Sequence, residues 1–152
     1  MTQRFSLQLV LDLAVRDAEA QVREVKRSHG EWLRARGYRV HLLSLRDERV
    51  TALATQLCPG LSAQALRVGT HVLTLQQAEL QQAAEQITIT YQAWQALLTR
   101  WMHAQDRVKA LRVLEQRHIA ARGIQLRRLE QRQHDELAQN TRFWRAENEG
   151  VM

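Results

Sequence analysis

The side chains that could perform metal or acid–base chemistry are scattered along this chain. None of the six histidines lies three or four residues from another, so no two can bind one metal ion from the same face of a helix. They are His29, His41, His71, His103, His118 and His134. Asp135 and Glu136 are adjacent, but adjacent helical positions point about 100° apart and cannot share one proton. We therefore expect no metal site and no carboxylate pair for catalysis.

Glycine and cysteine usage argues against two further kinds of chemistry. The six glycines are isolated and none precedes a Lys-Ser or Lys-Thr pair, so the phosphate-binding loop of nucleotide hydrolases is missing. Cys58 is the only cysteine, which is typical of a protein of the reducing cytoplasm. We expect a protein without cofactors and without enzymatic activity.

A heptad pattern predicts the element that positions most of these residues. Seven large apolar residues recur at intervals of seven with no proline between them: Leu66, Leu73, Leu80, Ile87, Trp94, Trp101 and Val108. A sustained repeat of seven keeps one apolar stripe facing a partner helix, as in coiled coils. The pattern predicts one long helix with a buried seam. Residues 86–91 alternate like a strand, but Ile87 and Trp94 keep the heptad, so we predict helix there too.

The only strong break is Cys58-Pro59-Gly60-Leu61-Ser62, where proline stops one helix, glycine permits a turn and Ser62 can cap the next helix. Short connections join antiparallel helices. We predict an all-α fold, a single antiparallel two-helix coiled-coil hairpin over residues 1–152. Its helices span about 4–57 and 63–148, with the turn at 58–62.

The pairing within this hairpin can be counted outward from the turn. Leu57 then faces residue 61 or 62, and residue 5 is level with about residue 114 of the longer second helix. About 30 residues of that helix should overhang, which is about 45 to 50 Å at 1.5 Å per residue. In the first helix we predict a stripe that slips by one residue near Gly30 and Gly37. Its members are Val15, Ala18, Val22, Val25, His29 and Trp32, followed by Leu33, Val40, Leu43, Val50, Leu53 and Leu57.

Charge is concentrated away from the predicted turn. Residues 1–49 carry ten basic and seven acidic residues, residues 50–99 carry one and two, and residues 100–152 carry eleven and seven, for a net charge of +6. Both termini of a hairpin lie at the open end, so we expect that end to be basic. The overhang also carries apolar residues without a predicted partner: Ile119, Ile124, Leu126, Leu129, Leu137, Phe143 and Trp144. This combination predicts a binding surface.

Three stretches resemble the flagellar FliJ family, whose relatives include the YscO-type stalk proteins of virulence type III secretion. Residues 4–14, RFSLQLVLDLA, are similar to the family's N-terminal pattern of a basic residue, Phe and Leu-x-x-Val-Leu-x-Leu. Residues 108–117, VKALRVLEQR, resemble its Lys-Ala-Leu-x-x-Leu-x-x-Arg segment, and residues 130–138, EQRQHDELA, resemble its ending. Together with the hairpin, these stretches extend the resemblance over nearly the whole chain.

The resemblance implies a non-catalytic central stalk of the flagellar protein export apparatus. Such a protein binds a hexameric export ATPase and couples it to the membrane-embedded export gate. It also escorts export chaperones, and it associates with the cytoplasmic face of the inner membrane only through the apparatus. We expect the ATPase ring to contact the overhang through Arg122, Leu126, Arg127, Arg128, Arg132, Phe143 and Trp144.

The family's gate-binding face corresponds to residues just after the turn. Val72 retains its apolar character, whereas Gln76 and Glu79 depart from it. Three alternatives remain open from the residues alone. The chain could be the equivalent stalk of a virulence system, a coiled-coil scaffold that homodimerises through residues 116–147, or a basic nucleic-acid binder. Nucleic acid is not the expected partner, because acidic residues are interleaved with the arginines.

Overall fold

The computed structural model describes residues 4–57, 60 and 62–150, together with all their side chains except that of Leu57. Two helices account for nearly all of this part of the chain, and no strand occurs in it. Helix α1 spans Gln8–Leu57 and helix α2 spans Ala63–Glu149. The predicted all-α fold with a longer second helix is confirmed. Three residues of the predicted turn, Cys58, Pro59 and Leu61, lie outside the described residues.

The start of α2 is fixed by the predicted cap. The backbone N–H of Ala65 donates to the Ser62 hydroxyl oxygen at 3.2 Å, and the N–H of Leu66 donates to the Ser62 carbonyl oxygen at 3.1 Å. These bonds satisfy donors that the first turn of a helix otherwise leaves unpaired. Gly60 has φ 91°, a left-handed conformation that glycine adopts without strain. Gly60 and Ser62 therefore have the predicted roles, as a turn residue and as a helix cap.

The chain forms two compact units, which are described separately. The first unit comprises Met1–Val15 with Asp106–Met152, and the second comprises Arg16–Gln105. In the second unit, Leu42 packs with Leu80 and Ala83. The side chain of Leu53 lies so close to Gly69 that a Cβ built there would be 2.9 Å from it. Within this unit, residue numbers rise along α1 as they fall along α2, so its two helical segments are antiparallel.

Within the first unit, the N-terminal segment packs on α2. Leu11 and Ala14 are buried, as is Val108 of α2. The rings of Phe5 and His118 lie 5.5 Å apart. The prediction that residue 5 is level with residue 114 was therefore wrong by about four residues. The axes of two packed helices lie about 8 to 10 Å apart. The residues beside the turn must span this distance, so they do not pair with each other and the register shifts.

The predicted seam of α2 is only one of two rows that face α1. Leu80 and Val108 are buried, Leu73, Ile87, Trp94 and Trp101 are half-buried, and Leu66 is exposed. A second row at the same interval of seven is equally covered: Gln76, Ala83, Thr90, Leu97, Ala104, Leu111 and His118. Heptad pairs bury two positions per repeat. Only Leu97 and Leu111 in this second row are large and apolar, which is why the apolar pattern did not reveal it.

The first part of the predicted α1 stripe is confirmed and its continuation is partly wrong. Residues from Val15 to Trp32 on the stripe are buried or half-buried. Leu33, Val40 and Val50 are exposed, and Val40 retains 66% of its accessible surface. Ser28 and Leu42 are buried instead. Because α1 continues through both glycines as a regular helix, its repeat of seven continues too and no slip occurs.

The segment with strand-like alternation is helical, as predicted. Its threonines direct their hydroxyls back to the helix: Thr88 donates to the Ala84 carbonyl at 3.3 Å and Thr90 to the Gln86 carbonyl at 2.8 Å. Such bonds let a β-branched residue tolerate a helix. Across the described parts of α1 and α2, no stretch is long and apolar enough to cross a membrane.

Candidate partner-binding surface on the second helix

The last part of α2 has no helix packed against it within the first unit. We call residues 119–149 the extension, because they follow His118, the residue that Phe5 contacts. Every residue from Ile124 to Gly150 is exposed. A long helix without tertiary packing must be stabilised by a partner or by its own local interactions.

One face of the extension is apolar. At about 100° per residue, five large side chains fall within an arc of about 80°. They are Ile119, Leu126, Leu129, Leu137 and Trp144, and all five are exposed. Val108 lies on the same arc, in the part of α2 on which the N-terminal segment packs, and it is buried. The extension therefore continues the seam face of α2 without anything covering it.

Phe143 lies beside this arc and is 74% exposed, while Trp144 is 68% exposed. The predicted exposure of this aromatic pair is confirmed. Two large rings near the end of a helix offer apolar area at low entropic cost to a partner, since each has only two side-chain torsions.

Charge divides the extension into two halves of opposite sign. Residues 119–134 carry four arginines and one glutamate, for a net charge of +3. Residues 135–150 carry two arginines and four acids, for a net charge of −2. The prediction of a basic open end holds for residues 100–152, with eleven basic and seven acidic residues, but the extension is not basic along its whole length. Only the half that begins at Ile119 is basic.

The arginines of the basic half lie at different depths. Arg122 is half-buried, whereas Arg127, Arg128 and Arg132 are exposed. Arg127 donates its Nε–H to the Gly123 carbonyl at 3.3 Å. Arg128 and Arg132 line a shallow depression on the helix surface together with Gln125 and Leu129. A guanidinium beside a leucine can bind a carboxylate while its stem packs against an apolar group.

Arg27 forms ion pairs with two acidic residues along α1. Arg27 contacts Glu24 at 2.6 Å and Glu31 at 3.3 Å. The hydrogen bond to Glu24, followed by the charges of Glu24 and Glu31, raises the pKa of the Arg27 guanidinium. In the extension, spacings of three and four residues would allow Arg127 to pair with Glu130 and Arg132 with Glu136. Neither pair is among the ion pairs of the described residues.

The three residues at the gate-binding positions do not share one exposed surface. Glu79 is exposed and Val72 is half-buried. Gln76 is 6% exposed, and its Oε1 has no hydrogen-bond partner. Its side chain belongs to the second seam row and offers no surface to a partner while the helices are paired. Val72 lines a small groove that also includes Leu53 and Gly69.

An aromatic cluster in the second unit was not identified from the sequence. Trp32 stacks on Trp94, with ring centroids 5.2 Å apart and an interplanar angle of 16°. The His29 ring lies 4.8 Å from that of Trp94. Tyr91 approaches Trp32 at 5.7 Å, and the Arg36 guanidinium lies 4.9 Å from the centre of the Trp32 ring. The sequence did place Trp32 on the apolar stripe of α1 and Trp94 on the seam of α2. Predicting their contact would also have required the correct pairing register of the two helices.

Within the described residues, no group of three histidine, cysteine, aspartate or glutamate side chains could hold a metal ion. The most extensive candidate functional surface of the described residues is the extension, with its exposed apolar face and its two halves of opposite net charge. Such a surface can bind another helix or a protein edge.

A family model described as "Flagellar FliJ protein" matches residues 3–148. Neither a curated protein nor a solved structure matches the chain significantly.

Proposed function

The chain belongs to the flagellar FliJ family, and from that premise we propose that it is a non-catalytic stalk of the flagellar protein export apparatus. In this role it binds the hexameric export ATPase and couples the ATPase to the export gate. It works at the cytoplasmic face of the inner membrane, where it also meets export chaperones. The nucleotide chemistry belongs to the ATPase.

One observation supports the ATPase contact above all others: the seam face of α2 continues uncovered beyond His118. A helix with five exposed apolar residues on one face is suited to insertion into a protein cavity. We assign the ring contact to Leu126, Phe143 and Trp144 as apolar anchors. Arg122, Arg127, Arg128 and Arg132 would face acidic groups of the ring.

Electrostatics would orient this insertion. The basic half of the extension precedes the acidic half, so a ring with acidic groups at one level and basic groups at another accepts the helix in one direction only. Attraction between exposed charges is screened over about 8 Å at physiological ionic strength, so it affects the association rate more than the final affinity.

The gate contact is proposed for the second unit. Val72 and Glu79 can reach a partner, whereas Gln76 is buried. We therefore assign Gln76 to the pairing of the helices and the gate contact to the two flanking positions.

The proposal is tested by measuring ATP hydrolysis by the purified export ATPase with increasing amounts of this chain. Deleting residues 119–152 should abolish the stimulation, while circular dichroism should show that the remaining helices are folded. Full stimulation by the truncated chain would contradict an ATPase contact through the extension.

A point substitution with a matched control separates local charge from helix stability. Arg127 and Arg34 each donate Nε–H to the carbonyl of a glycine four residues earlier, at 3.3 and 3.4 Å. Arg127→Glu should raise the concentration needed for half-maximal stimulation several-fold, because an exposed charge at an interface is reversed. Arg34→Glu loses the same local bond in the second unit and should leave the stimulation unchanged. Equal effects of the two substitutions would contradict the assignment of Arg127.

A further inference from the structure

Four of the five residues on the apolar face of the extension are arranged symmetrically about one point. Ile119 and Trp144 lie equally far from the midpoint between Gln131 and Arg132, and the same is true of Leu126 and Leu137. All four side chains are exposed and lie on the same face. Two copies of such a helix, placed antiparallel and centred on this midpoint, bring each of these four residues opposite another of them, whereas Leu129 lies opposite His134 of the partner subunit.

We propose that the extension binds a second copy of this chain as an antiparallel helix pair. Ile119 lies opposite Trp144 of the partner subunit, and Leu126 lies opposite Leu137 of the partner subunit. The arrangement is isologous, because each apolar pair occurs twice around a two-fold axis. It stands on the geometry of α2 alone and does not depend on the proposed export function.

The charges of the extension favour the antiparallel orientation. Antiparallel pairing about this midpoint places residues 119–131 of one copy, net +2, beside residues 132–144 of the other, which carry no net charge. Parallel pairing would place residues 119–131 of the two copies, each with a net charge of +2, beside each other. Like charges at this separation repel, and the repulsion extends over about 8 Å at physiological ionic strength.

The length of the proposed contact also fits pairing that involves only the extensions of the two copies. From Ile119 to Trp144 the helix measures about 38 Å at 1.5 Å per residue. This span begins immediately after His118, the residue contacted by Phe5, so the partner helix need not displace the N-terminal segment. The contact would continue the seam face that the chain already uses for its own pairing.

The expected affinity is modest. Four apolar layers alternate with polar positions, and Glu130 faces Gln133 of the partner subunit near the centre. Two single helices of this length bury less than the roughly 1,200 to 2,000 Å² of a standard stable interface. We therefore expect a dissociation constant of the order of 10 to 100 μM, as for weak complexes.

Sedimentation equilibrium of the full chain over a range of concentrations tests the self-association. A monomer–dimer equilibrium is expected. A chain that remains monomeric up to several hundred micromolar (about ten times the middle of the expected range) would overturn the proposal.

A matched pair of substitutions locates the contact. Leu126 and Leu75 are both on α2 and are 51% and 54% exposed. Leu126→Glu should weaken the dimer at least tenfold, and Leu75→Glu should not change it. If Leu75→Glu weakens the dimer as much as Leu126→Glu, or if neither does, the contact does not use the extension.

Disulfide cross-linking determines the orientation. In a background in which Cys58 is replaced by serine, a chain with Leu126→Cys is mixed with a chain with Leu137→Cys and oxidised gently. Antiparallel pairing predicts the mixed disulfide as the main product, which mass spectrometry of tryptic peptides identifies. Predominant disulfides between two identical chains would show parallel pairing and overturn the proposal.

Discussion

Replacing Trp94 with alanine should destabilise the second unit substantially. Trp94 contacts His29 and Trp32 of α1, and it also contacts Tyr91 on its own helix. Truncating a buried tryptophan costs about 3 to 5 kcal/mol, and each well-placed aromatic pair contributes about 0.5 to 1.5 kcal/mol beyond its buried area. Because Trp94 is only half-buried, we take the lower value, about 3 kcal/mol.

This loss should be visible in thermal unfolding of the full chain followed by far-UV circular dichroism. For a chain of this length, 1 kcal/mol shifts the midpoint by about 2 to 4 °C, so Trp94→Ala should lower it by about 6 to 12 °C. Trp144→Ala is the control. Trp144 is 68% exposed, and its loss should change the free energy of unfolding by no more than about 0.5 kcal/mol.

A double-mutant cycle tests the stacking itself. Trp32→Ala, Trp94→Ala and the double variant should give a coupling energy of about 0.5 to 1.5 kcal/mol, since the two rings lie 5.2 Å apart. Purely additive losses would mean that each tryptophan packs independently. Equal midpoints for Trp94→Ala and Trp144→Ala would refute the placement of the cluster altogether.

Three further predictions concern the turn and the helices. Ser62→Ala should reduce the free energy of unfolding by about 1 kcal/mol, measured in urea, because α2 loses its cap. Gly123→Ala should raise it by about 0.5 to 1 kcal/mol, since a methyl group there meets nothing within 4 Å; Gly69→Ala should gain less, because its methyl group would lie 2.9 Å from a leucine side chain. Spin labels replacing Ala20 and Arg100 should lie within about 20 Å of each other by electron paramagnetic resonance, because antiparallel helices pack about 8 to 10 Å apart. A separation above about 40 Å, as in one continuous helix, would exclude antiparallel pairing in the second unit.

The sequence predicted the elements of the fold because strong local signals agreed. The proline and glycine of the turn, the capping hydroxyl of Ser62 and the heptad of α2 all indicated two helices with one connection. The pairing register of the two helices was harder to predict from the sequence. It depends on how many residues the helices use beside the turn before they reach packing distance, and Phe5 therefore contacts His118 and not a residue near 114.

Packing partners were harder to predict than apolar positions. The second row of α2 includes Gln76, Ala83 and Ala104, whose types do not stand out as core residues, although all three are buried. Leu33 and Val40 were assigned to the stripe for being apolar, yet they are exposed. In the extension, the exposed aromatic pair was predicted from its position, whereas the different net charges of the two halves were not resolved because charge was counted over residues 100–152 as a whole.

The positions of the tryptophans allow helix separation and partner binding to be followed by two different spectroscopic signals. Trp32 and Trp94 are stacked in the second unit, where their coupled indoles should give a near-UV circular dichroism signal that disappears when the helices separate. Trp144 lies in open solvent and should emit at longer wavelengths than a covered indole. A partner that binds the extension should shift the emission of Trp144 to the blue and leave the near-UV signal intact. The two processes can thus be followed in one unlabelled sample.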